Sequence, residues 1–144
     1  MTYPKAFQRM IGLALVLILL AGCGARSASP RPGATFVGKI AMDTAKSAQV
    51  TFKVSADGQS IESLGFAATE IKCGGFSAGS TSSNTSGQYP VTEGRIEIKS
   101  SSIGDITGRI TSSIKAEGSI HVLLGSGMGS AIDCGTWDWS ATSE

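Results

Sequence analysis

Few side chains in this sequence are of the types that carry out chemistry, and their spacing does not group them. His121 is the only histidine among the 144 residues. A Ser-His-Asp arrangement needs a serine on a rigid mount such as a nucleophile elbow, and none of the serines has that setting. Asp133 and Asp138 are near in sequence, but Asp138 alternates onto a polar face, so a paired-carboxylate cleft is not indicated. We therefore interpret His121 as a solvated surface residue and predict a protein that is not an enzyme.

The first 22 residues have the three parts of a secretory signal. Lys5 and Arg9 precede an unbroken apolar run at 11–20, and small residues follow it. The run is too short to span a bilayer, which takes about 20 residues. Residues 1–22 are therefore predicted to be a signal peptide that is removed on export.

The signal ends in Leu20-Ala21-Gly22-Cys23, which resembles the lipobox of bacterial lipoproteins. The resemblance implies that Cys23 becomes the first residue and carries two or three acyl chains, palmitate among them. Two or more chains hold a protein stably at a membrane. The expected location is the outer face of the cell membrane or the outer membrane. The alternative is an ordinary secretory signal that ends in cysteine by chance.

Behind the anchor, residues 23–34 are small, polar and rich in proline, which is typical of a flexible spacer. Residues 35–144 then have the length of one domain. Removal of Lys5 and Arg9 with the signal leaves ten basic residues against eleven acidic ones. This balance offers no basic patch for a nucleic acid, so we expect none as a partner. The expected partners are the membrane, through Cys23, and a protein or glycan that the sequence does not identify.

Cys73 and Cys134 remain once Cys23 is assigned to lipid. An exported protein meets an oxidising compartment, so a disulfide between this pair is the first interpretation. Two free thiols or a metal site are the alternatives. Two cysteines with one histidine are a poor zinc constellation, and the acidic residues lack calcium-loop spacing. We therefore predict no metal and no cofactor.

Alternation with a period of two dominates the mature chain, and this period is typical of strands with one buried and one solvated face. Asp57-Gly58 is a tight-turn dipeptide, and Ile61 is out of phase with Leu64, which indicates a bulge or a shifted start of the strand. The alternating segments lie at 36–42, 50–54, 61–68, 95–99, 106–111, 114–124 and 136–141. The prediction is an all-β domain of about seven antiparallel strands, built as a β-sandwich or a flattened barrel.

Two segments lack this alternation. Residues 74–87 are nearly free of apolar side chains and are predicted to form a mobile surface loop. Residues 125–130 are rich in glycine but lack the Lys-Ser/Thr of a phosphate-binding loop, so a flexible connection is predicted.

Trp137 and Trp139 share one face of the last predicted strand, with polar residues on the other face. If this face points inward, the two rings belong to the core, which is the interpretation we favour. If it points outward, they form a platform for stacking on sugar rings, as in a carbohydrate-binding module.

The layout resembles a broad set of small exported bacterial β-proteins that are mostly uncharacterised. The resemblance rests on segments such as Val50–Gly58, Ala116–Ile120 and Cys134–Trp139, and it is structural and not specific to an activity. The expected function is that of a membrane-anchored extracytoplasmic lipoprotein with a non-enzymatic domain for binding or for the cell envelope. A carbohydrate-binding module that uses Trp137 and Trp139 is the first alternative, and an extracytoplasmic hydrolase is the second.

Overall fold

The computed structural model describes residues 28–125 and 131–144. The predicted signal peptide and Cys23 lie outside these residues, and so does the predicted connection at 125–130 except for Gly125, which ends a strand. None of the described residues form a helix that could span a membrane. They form eight strands: β1 (Thr35–Ile40), β2 (Ser47–Val54), β3 (Ser60–Cys73), β4 (Phe76–Pro90), β5 (Arg95–Ser100), β6 (Gly104–Ser112), β7 (Lys115–Gly125) and β8 (Ala131–Ser143).

The eight strands form one antiparallel sheet in the order β4-β3-β2-β1-β8-β7-β6-β5. The predicted all-β, antiparallel class is confirmed, with eight strands where about seven were expected. The described strands do not divide into the two facing sheets of a sandwich, because β1 pairs with β8 as well as with β2. The continuous sheet curls, and the curl lets it cover its own apolar face.

Alternation along the strands places the apolar side chains on the concave face. In β1, for example, Phe36 and Ile40 are buried while Val37 and Lys39 point outward. The rings of Phe36 and Phe52 are stacked with centroids 4.8 Å apart. Phe52 also meets Trp139 edge-on, with centroids 5.9 Å apart. The core therefore joins strands from both halves of the sheet.

The Asp57-Gly58 turn predicted from the sequence connects β2 to β3. Gly58 has a φ of 74°, which favours glycine. Asp57 accepts hydrogen bonds from the Ser55 hydroxyl and the Gln59 N–H, and these two bonds lower the pKa of its carboxyl. The turn is thus stabilised by its own side chains.

The predicted bulge is confirmed just after this turn. Val54 pairs with Ile61 while Lys53 pairs with Ser63, so Glu62 is the extra residue of β3. The extra residue resets the alternation, and both Ile61 and Leu64 are buried.

The prediction of a surface loop at 74–87 is wrong, because only residues 74–75 form a turn and residues 76–87 belong to β4. Backbone pairing with β3 runs from Cys73↔Phe76 to Ser60↔Pro90. Main-chain hydrogen bonds do not depend on apolar side chains, so a polar segment can extend a sheet where little of it needs burial. No residue of β4 is fully buried, which explains why the hydrophobic pattern did not reveal it.

The alternation of strand direction gives the sheet two distinct ends. We call the end that holds residues 28–34 and the connections 55–59, 91–94 and 113–114 the proximal end. The Arg31 N–H donates to the Ser113 carbonyl at 3.0 Å, and the Gly33 N–H donates to the Ser55 carbonyl at 2.9 Å. The second half of the predicted spacer is therefore docked on the domain. The opposite, distal end holds the connections 41–46, 74–75 and 101–103.

Candidate functional site

The two edges of the curled sheet differ in length and charge. The edge strand β5 has six residues and carries Arg95, Glu97 and Lys99. The edge strand β4 has 15 residues and no charged side chain. Short length and charge are the usual means of preventing a sheet edge from pairing with another chain. The β5 edge has both of these protections, and the β4 edge has neither.

The outer edge of β4 has no backbone partner among residues 28–125 and 131–144. Its pairing is with β3 alone, and the bridge beyond its end joins Thr92 to Arg95 within the next connection. A row of N–H and C=O groups along an edge is a template for an added strand. Pro90 stands only at the last position of β4, so the backbone donors before it are intact.

Side chains beside this edge are small and polar. Ser82, Asn84 and Ser86 point outward and are exposed, whereas Ser83 and Thr85 lie half-buried on the concave side. Hydroxyl and amide groups donate and accept hydrogen bonds without fixing a charge preference. Along residues 77–87, an added strand would thus meet neither a large side chain nor a charge on β4.

His121, interpreted from sequence as a solvated residue, forms a pair with Asp133 near the distal end. The ring Nε2 lies 2.8 Å from Asp133 Oδ1, and the same oxygen accepts the Gly135 N–H at 2.8 Å. Both side chains are substantially exposed, at 36% and 64%. The Gly135 N–H and then the His121 ring hold the pKa of the Asp133 carboxyl below its usual value.

The pair arises from a bulge that the sequence analysis did not anticipate. His121 pairs with Thr136 while Leu123 pairs with Asp133, and Gly135 has a φ of 87° at the irregular point. Strand β8 has one more residue than β7 in this interval, and the resulting bulge places Asp133 beside His121. Gly135 followed by a restart of alternation is the only signal of this bulge in the sequence. In the described residues the His121 ring bonds to no serine or threonine hydroxyl, and no three potential metal ligands meet.

Cys73 and Cys134 lie at disulfide distance, with Cα atoms 5.3 Å apart, in agreement with the predicted pair. Cys73 ends β3 and Cys134 lies near the start of β8, and two strands separate β3 from β8 in the sheet. The disulfide therefore ties the tip of the β3–β4 hairpin across the curled sheet at the distal end.

The two tryptophans share the concave side but differ in burial. Trp139 is 3% exposed. A Cβ placed on Gly108 would lie 2.5 Å from Trp139 Cζ2, so the indole occupies the space that this glycine leaves open. Trp137 is half-buried, and its Nε1 donates to the Cys134 carbonyl at 2.8 Å. The two tryptophan rings therefore do not form an exposed pair on which a sugar could stack.

Comparisons with known proteins identify no relative of this chain. No protein-family model matches the chain, no curated protein matches it, and no solved structure matches it.

Proposed function

We propose that this chain is an exported lipoprotein, anchored through Cys23, whose β-domain acts without catalysis by binding a partner strand at the edge of β4. The observation that carries the binding role is the long and uncharged outer edge of this strand, which pairs with no other strand of the described residues. Strand addition takes its affinity from main-chain hydrogen bonds and its specificity from alternate side chains. An extended protein segment in the cell envelope is therefore the partner class that this edge suits.

The burial of Trp139 argues against the carbohydrate-binding alternative, because a 3% exposed ring offers little surface for a sugar. The His121–Asp133 pair is the specific observation in favour of the hydrolase alternative. A hydrolase of this type needs a hydroxyl nucleophile beside the His121 ring, and no hydroxyl group of the described residues is hydrogen-bonded to that ring.

The anchor is tested by the substitution Cys23→Ser. We expect the variant to lose the lipid-modified N-terminus and to leave the membrane fraction, because the acyl chains supply the membrane affinity. Intact mass spectrometry and fractionation after a high-salt wash measure the two effects. Ser27→Ala in the spacer is the control and should leave fractionation unchanged. Equal retention of Cys23→Ser and the unchanged chain in the membrane would contradict the anchor.

The binding edge is tested by photo-crosslinking in intact cells. A photoreactive residue at Ser82 is expected to form discrete adducts with an envelope protein, whereas one at Thr107 on the internal strand β6 should not. Ser86→Lys should remove the adducts, because lysine on an edge opposes strand pairing. Thr107→Lys is the matched charge control.

Two outcomes would overturn the assignment of the edge. One is equal crosslinking from Ser82 and Thr107, and the other is persistence of the Ser82 adducts in Ser86→Lys. Circular dichroism of each variant checks that the sheet is retained.

A further inference from the structure

We infer that the proximal end of the domain rests on the lipid surface, with Ile114 in contact with the headgroup region. This inference rests on the proposed lipid anchor at Cys23. It adds an interaction surface on the folded domain itself, separate from the acyl chains and from the β4 edge.

The length of chain between anchor and domain limits where the membrane can lie. Five residue steps separate Cys23 from Ala28, and they can span at most about 17 Å. Residues from 28 onward are docked on the proximal end: a Cβ on Gly94 would lie 2.9 Å from the Ala28 carbonyl oxygen, and Arg31 bonds to the β6–β7 turn. The tether therefore starts from the proximal end.

The distal end is out of reach of this tether. Strand β8 alone has 13 residues and is roughly 40 Å long at the usual rise per residue. A tether shorter than the strands prevents the domain from turning its distal end to the membrane with the proximal end pointing away. In an upright orientation, the proximal connections are therefore the part of the domain that faces the lipid.

An exposed apolar side chain lies at this end. Val37 and Ile114 are the large hydrophobic residues exposed in the described chain, at 45% and 43%. Ile114 follows Ser113, whose carbonyl accepts the Arg31 N–H, so it lies beside the point where the tether meets the domain. Transfer of an isoleucine side chain from water to an apolar environment is favourable, and the membrane is the nearest such environment.

The proximal end carries charges of both signs, so the apolar contact of Ile114 contributes more to membrane affinity than net charge does. Lys115 follows Ile114 and can direct its ammonium group toward headgroups while its stem lies along the apolar region. Asp57 and Glu93 lie in two other connections at the same end. Charges of both signs at the same end give little net attraction to an anionic surface, so the contact is expected to withstand high salt.

The test uses the lipidated protein reconstituted in phosphatidylcholine vesicles that carry nitroxide-labelled lipids. Mass spectrometry first confirms the lipid on Cys23, and its absence would remove the proposed function and this inference together. A fluorophore is then attached to Ser113→Cys, next to the retained Ile114, or to Ser101→Cys at the distal end as the control. We expect stronger quenching and a blue-shifted emission at 113, unchanged in high salt.

The role of Ile114 itself is tested in the Ser113→Cys background. Ile114→Asp should reduce the quenching at 113, whereas Ile114→Leu should retain it. Two results would overturn the inference while leaving the anchor intact, provided that the lipid is present. One is equal quenching of the fluorophore at 113 and at 101. The other is quenching at 113 in Ile114→Asp that equals quenching in the parent protein. Thermal unfolding of each variant separates loss of contact from loss of the fold.

Discussion

Trp139→Ala is expected to lower the free energy of unfolding by about 3–5 kcal/mol, the range for removal of a large buried aromatic side chain. The indole is 3% exposed, meets Phe52 edge-on and fills the space above Gly108. Its removal leaves a cavity between strands of the two sheet halves. The hydrogen bonds of the sheet hold these strands in place, so the cavity cannot collapse. A domain of ordinary stability has roughly 5–15 kcal/mol in total, so this loss is a large fraction of it. Urea unfolding followed by circular dichroism measures the loss.

Trp137→Ala is the matched control for this substitution. Trp137 is half-buried, so its truncation removes less apolar contact and the single hydrogen bond to the Cys134 carbonyl. We expect a clearly smaller loss. An equal or larger loss at Trp137 would contradict the assignment of Trp139 as the central core residue. In Trp137→Phe, the remaining Trp139 should emit at short wavelength and resist iodide quenching, whereas an accessible ring would revive the carbohydrate-binding alternative.

Removal of the disulfide by Cys73→Ala with Cys134→Ala is expected to destabilise the domain by about 4 kcal/mol, the chain-entropy value for its loop. The two cysteines are 61 residues apart, so the crosslink restricts a large part of the unfolded chain. It also holds the tip of the β3–β4 hairpin against β8. Hydrogen exchange should therefore increase most at the distal end of β3 and β4.

The disulfide prediction has an internal control. Reductant should destabilise the unchanged protein by about the same amount as the double substitution, and it should have no effect on the double variant itself. Equal stability of oxidised and reduced protein would show that the crosslink does not restrict the unfolded chain.

Most of the strands and their faces could be predicted from the sequence alone. Phe36, Val50 and Ile106 each belong to a strand in which buried or half-buried residues recur at every second position, because a strand with one solvated side must alternate apolar and polar residues. The bulge beside Ile61 was predictable for the same reason, since a break in phase needs an extra residue. The pairing of Cys73 with Cys134 followed from the number of cysteines and the expected oxidising compartment.

Features that depend on partners distant in sequence emerged only with the three-dimensional structure. β4 carries no hydrophobic pattern because none of its side chains is fully buried, and side-chain polarity does not encode its main-chain bonds to β3. The choice of one curled sheet over a sandwich rests on pairing between β1 and β8, at opposite ends of the domain sequence. Likewise, the His121–Asp133 pair needed the bulge at Gly135, and the docking of Arg31 on Ser113 needed the folded turn. Alternation specifies which face of a strand is buried, but the neighbours of that strand are selected by packing of the whole sheet.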